Sequence, residues 1–308
     1  MYQNKSDEKR RLIIFIILTI SIAWIIFLQV PVWGLKYGSG NSVLIVAAAM
    51  FAPALSNILT RLITREGFQN MCLKPHIKKY WKDYILLYFG PTVLLLLSGG
   101  FYFLIFPGSF DRSFSYLNKI AAASSNSGMT PVRLIQIQFL IFILIGPIVN
   151  IIPTLGEELG WRGYLLPKLR GLFSDRMALV FTGIIWGFWH TPVIVMGHNY
   201  GTEYAGYPWL GILAMIVFCV ALGIIEGYFA MKMESVIPAA MIHSTVNAGA
   251  AFPVLFAKTG YNPLLGPSIT GLIGGLPFII VAVFLLIRVG KISRKGVRTD
   301  LQNGNGGF

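Results

Sequence analysis

The sequence predicts an all-α membrane protein of about eight transmembrane helices with both termini in the cytoplasm. Three observations predict it. Of 308 residues, 55% are hydrophobic and 12% charged, about half the charge of a soluble domain, and the mean hydropathy is +0.69. Several apolar runs reach the roughly 20 residues that cross about 30 Å of hydrocarbon. Lysine and arginine are also distributed unevenly over alternate connections, as membrane orientation demands.

The expected spans are 12–33, 43–63, 84–106, 134–153, 177–197, 209–231, 236–256 and 270–289. The first follows the leader KSDEKRR. It is too long for a signal-peptide core and lacks a small-residue cleavage site, so it reads as a retained helix. Between the second and third, FQNMCLKPHIKKYWKD (68–83) mixes basic and aromatic residues and reads as a membrane-surface segment. The loop 107–132 is rich in Ser and Asn. Placing the N-terminus inside puts 20 of the 25 Lys and Arg on the inner connections, leaving Lys36, Arg112, Lys119, Arg133 and Lys258 outside. The net charge of +13 is thereby explained by topology. No basic face of a soluble module is visible, and no nucleic-acid partner is expected. Of the two cysteines, Cys72 lies in the basic connection and Cys219 in an apolar run, so neither a disulfide nor a cysteine metal site is expected. The chain reads as one polytopic domain, 1–308, in which 150–250 carries the motifs. The expected end, 291–308, is a short disordered cytoplasmic tail.

Ionisable groups at membrane depth are costly and are functional candidates by default. The later spans hold few: Glu157, Glu158 and Arg162 in LGEELGWRGYLLP, then His190, Glu226 and His243, with Asn247 one turn beyond. Glu158 and Arg162 are spaced i, i+4 and form an ion pair along one helix face. Glu157 points about 100° away, free for other work. His243 and Asn247 share a face at the same spacing, where Asn247 orients His243 or donates to a bound carbonyl. Trp186 and His190 repeat the spacing, and Pro192 ends or kinks that helix. Glu226 reads as a local structural or gating partner. A glutamate with two imidazoles from separate helices suits hydrolysis: the carboxylate takes a proton from water, and the other groups either stabilise an oxyanion or hold a divalent metal such as zinc. There is no H-E-x-x-H, no G-x-G-D, and no rhomboid-type serine register at Gly38–Gly40.

These residues resemble the motifs of the CPBP family, the CAAX proteases and bacteriocin-processing enzymes also called Abi. Glu157-Glu158-x-x-x-Arg162 is similar to its first motif, Trp186-x-x-x-His190 to its second, usually F-x-x-x-H, and His243-x-x-x-Asn247 to its third. SVIPAAMIH resembles the approach to the third. The resemblance implies an eight-helix intramembrane endopeptidase with Glu157 as the base, Glu158 and Arg162 supporting it, and His190, His243 and Asn247 completing the site. It favours a metalloprotease, with Glu157, His190 and His243 as metal ligands; a metal-free oxyanion mechanism is equally consistent with the residues. Trp186 in place of Phe reads as altered packing or pocket shape. The expected protein sits in a bacterial plasma membrane and cleaves a membrane-anchored tail or hydrophobic peptide, prenylated or bacteriocin-like, near the cytoplasmic leaflet of the lipid bilayer. Two other classes remain: a bacteriocin immunity or peptide-binding protein that does not cut, and a proton-coupled transporter using Glu226 and Glu157.

Overall fold

The computed structural model describes residues 2–123 and 130–302, with side chains over most of that range. The described residues form helices joined by turns, with one isolated bridge between Phe110 and Ala257 and no strand. The chain is an all-α membrane protein. Helix α1 (Tyr2–Phe27) passes through a turn into the short α2 (Gln29–Val32). The second apolar run is broken into α3 (Gly40–Ala49) and α4 (Ala52–Ile63), with Pro53 in the first turn of α4, where a missing N–H costs nothing. Helix α5 (Ile77–Ile105) contains a kink at Tyr80 and an internal Pro91. After α6 (Ser115–Ala123) comes a continuous helical stretch: α7 (Pro131–Leu140), a π turn, α8 (Gly146–Gly160), a second π turn at Trp161–Leu165, and α9 (Leu166–Leu172). Helix α10 (Asp175–Trp189) leads into α11 (Thr191–Val195), followed by α12 (Trp209–Met233), α13 (Ile237–Gly249) and α14 (Leu276–Gln302).

Among the described residues six helical stretches have the length and apolarity to cross a membrane: Lys5–Val32, Gly40–Ile63, Ile77–Ile105, Pro131–Leu172, Trp209–Met233 and Ile237–Phe256. The other two expected spans fall on shorter helices. The 177–197 run is divided at His190 between α10 and α11, because Pro192 lacks the N–H that would continue the ladder. The 270–289 run begins as turns, and its apolar helix is Leu276–Gly290. Of the expected tail, residues 303–308 lie outside the described residues, while α14 continues through Gln302.

Two pairs of glycines set the packing around the centre. In Gly183-x-x-x-Gly187 of α10, an added Cβ would lie 2.5 Å from the Cα atoms of Val220 and Ile216 on α12. In Gly156-x-x-x-Gly160 of α8, it would lie 2.9 Å from the Met50 carbonyl and 2.3 Å from Pro53. Both are small-xxx-small seams that let helix backbones approach closely where no hydrophobic effect drives them together. The second seam turns the glycines of G-E-E-L-G towards α3 and α4 and leaves the glutamates to the other side of α8.

The connections gather at two ends. At one, the Glu66 carboxylate pairs with Lys168 and accepts from the Tyr164 hydroxyl at 2.9 Å, while Lys168 also reaches Glu8 at 2.9 Å. The same end holds the Val236 N–H to Cys72 carbonyl bond (2.8 Å), Tyr80 donating to the Lys232 carbonyl (2.9 Å), and Arg176 donating to the carbonyls of Leu286 and Ile287 (3.1 Å each). At the other end, the Tyr37 hydroxyl bonds His198 Nδ1, Tyr200 donates to the Thr270 carbonyl at 2.9 Å, and the Lys258 N–H donates to the Ser109 carbonyl at 2.9 Å.

Candidate active site

The charged residues of G-E-E-L-G-W-R lie in α8 and the π turn that follows it, and all are buried: Glu157 2% exposed, Glu158 0% and Arg162 2%. Glu158 Oε1 accepts from Arg162 Nη1 at 2.7 Å, the i, i+4 pair expected from the spacing, and from His243 Nδ1 at 2.9 Å. Arg162 Nη2 stands 2.6 Å from Glu226 Oε2, an ion-pair contact without hydrogen-bond alignment. The guanidinium therefore bridges carboxylates on α8 and α12. It also lies over the Trp186 ring, 4.7 Å from its centroid, a cation–π contact strengthened by desolvation.

Glu157 is not left loose. Its Oε2 accepts from the indole N–H groups of both Trp161 (3.1 Å) and Trp186 (2.8 Å). One oxygen is held between two rings, and Oε1 makes no hydrogen bond among the described residues. Glu157 lines a cavity of about 210 Å³ together with His190, His243, Asn247, His198 and Asn199; its apolar walls include Phe27, Met50, Met215 and Phe218. All the residues expected for the site, except Glu158 and Arg162 one layer behind, meet at this cavity.

The two imidazoles are oriented by acceptors. His190 Nδ1 donates to the Trp186 carbonyl at 2.9 Å and His243 Nδ1 to Glu158. His243 is thus oriented by Glu158; Asn247, one turn further on α13, is exposed on the cavity wall. Each ring keeps Nε2 for a ligand, the arrangement of a metal-binding histidine whose other nitrogen is tied to a carbonyl or carboxylate. Glu157, His190 and His243, the expected metal ligands, have suitable donor chemistry but do not have their ligand atoms all within 4.8 Å of one another. The group whose ligand atoms already lie within 4.8 Å of one another is Glu158, Glu226 and His243, with the Arg162 guanidinium at two of its carboxylates.

Two residues at the site were not legible as such in the sequence: Trp161 joins through Glu157 and His198 through the cavity wall. Glu226, expected as a local structural or gating partner, pairs with Arg162. The His198 ring stacks parallel to His190, with centroids 6.2 Å apart and planes at 5°, and its Nδ1 meets the Tyr37 hydroxyl. Burial lowers the His198 pKa to about 4 and raises that of Tyr37 to about 12. At neutral pH the pair is a phenol donating to a neutral imidazole, which places the ring proton on Nε2.

This is a buried cluster of carboxylates and histidines in a membrane protein. Residues 136–249, which contain it, match the sequence model of a family described as type II CAAX prenyl endopeptidase Rce1-like. The curated CAAX prenyl protease 2 of Methanococcus maripaludis is 34% identical over 93 residues, 30% of this chain and 34% of that protein. The match spans about a third of the curated relative's length, and over that segment it supports the CAAX protease resemblance carried by the three motifs.

Proposed function

We propose that this protein is an intramembrane endopeptidase of the CAAX-protease type, in which Glu157 activates water against a peptide bond of a membrane-associated peptide. The observation that carries this reading is the buried Glu157 carboxylate, with one oxygen fixed by two indoles, on the wall of a cavity shared with His190, His243 and Asn247. Oε1 accepts a proton from water in a site of low dielectric. The oxygen attacks the peptide carbonyl, the Asn247 amide donates to the oxyanion, and Glu157 returns the proton to the leaving amine. Glu158 holds His243, and Arg162 balances the charge behind it. His190 and His243, with Glu157 left as the base, would hold a divalent metal such as zinc, which when bound would polarise the carbonyl and acidify water.

The test is peptidomics of new chain ends in membranes containing wild type or Glu157→Gln at matched levels, each with and without a chelator. Products are expected with wild type alone, reduced by chelation and restored by zinc. Equal products from both proteins would sink the enzymatic reading in favour of a peptide-binding or immunity role.

A further inference from the structure

The catalytic cavity and the basic connections occupy opposite ends of the molecule. Helix α8 gives Glu157 from its last turn, towards the basic end; the other helices that contribute to the cavity do so mostly with the half remote from that end. Helix α1 gives Phe27, its last residue; α10 gives Trp186 and Trp189, in its last turn; α12 gives Met215 and Phe218, from the half nearer Trp209, and Leu222 at its middle; α13 gives His243 at its middle and Val246 and Asn247 near its C-terminus. The turns at that end complete the wall with His198, Asn199 and Thr270. Asn199 and Asn247 are exposed there. On the basic side a smaller cavity of about 120 Å³, lined by Cys72, Arg170 and Glu234, reaches Arg162, and the buried Arg162, Glu158 and Glu226 stand between it and Glu157.

Twenty of the 25 Lys and Arg belong to the basic end, the bias that fixes a membrane protein's cytoplasmic face. We infer that substrate reaches Glu157 from the non-cytoplasmic side: a peptide presented at the outer leaflet, with apolar residues beside the scissile bond to meet Phe27, Met50, Met215 and Phe218. This rests on the proposed function and replaces the cytoplasmic access suggested by charge counting alone. Position along a span tells where Glu157 sits, whereas the cavity tells from where it is reached.

Single-cysteine labelling tests it in the Cys72→Ser background, because Cys219 is fully buried. A membrane-impermeant maleimide on intact cells is expected to label Asn199→Cys and Glu203→Cys, on the same exposed loop. Gln69→Cys, exposed at the basic end, should label only after permeabilisation. The reagent should also cut product formation by Asn199→Cys at least tenfold and leave the Gln69→Cys variant unaffected. Labelling of the Asn199 and Glu203 variants only after permeabilisation would overturn the inference, as would external labelling of Asn199→Cys that leaves cleavage intact. If wild type makes no product, the enzymatic reading fails by itself, and the labelling still decides which side the cavity faces.

Discussion

The indole of Trp186 does something that a phenyl ring at the same place cannot. The CAAX-protease pattern usually has Phe there, and from sequence the exchange reads as a matter of packing. In the structure its N–H donates to Glu157 Oε2 at 2.8 Å. A hydrogen bond to a charged group contributes about 1.5–3 kcal/mol, and each 1.4 kcal/mol is about tenfold in rate. Trp186→Phe keeps the ring over Arg162 and deletes only the donor. Its kcat is expected to fall about 10- to 100-fold with KM little changed. Unaltered kinetics would mean that Trp161 alone positions the carboxylate. Within-helix relations such as Glu158 with Arg162 were legible because spacing i, i+4 fixes them. The bridge from Arg162 to Glu226 was not, because no local periodicity encodes a contact between residues on distant helices.

At the scale of helices, hydropathy located the apolar runs, since length and composition decide whether a segment can cross. The break of 177–197 at His190 was legible instead from Pro192, which ends or kinks the helix just after the histidine; hydropathy did not foresee that 270–289 starts as turns. Nor did it single out the α10–α12 seam, although Gly183-x-x-x-Gly187 surrounds Trp186 in sequence. With Ile216 Cα 2.5 Å from an added Cβ at Gly187, Gly187→Val must push the helices apart. Overpacking of this kind costs about 1–3 kcal/mol or more. A lower melting temperature in detergent is expected, together with loss of cleavage below that temperature as Trp186 and His190 leave Glu157. Unchanged thermal stability would show that the seam is looser than the backbone distance implies.

For the whole molecule, the buried charges decide whether it assembles. Arg162 serves two carboxylates, and breaking a buried pair by removing one partner costs about 3–5 kcal/mol, a large part of a typical stability of about 5–15 kcal/mol. Arg162→Ala should yield little monodisperse protein on size-exclusion chromatography, and adding Glu226→Gln should recover part of it. Equal recovery of Arg162→Ala and wild type would show that water reaches the cluster and replaces the guanidinium. The same bridge bears on biogenesis. During synthesis the segment carrying Glu157, Glu158 and Arg162 is made before the one carrying Glu226, and at about 5–20 residues per second the gap lasts seconds. Through that interval the earlier segment carries its polar groups without their final partner. The protein therefore has reason to keep α8 beside the insertion machinery until α12 arrives, so that the helices enter lipid as a group and not one at a time.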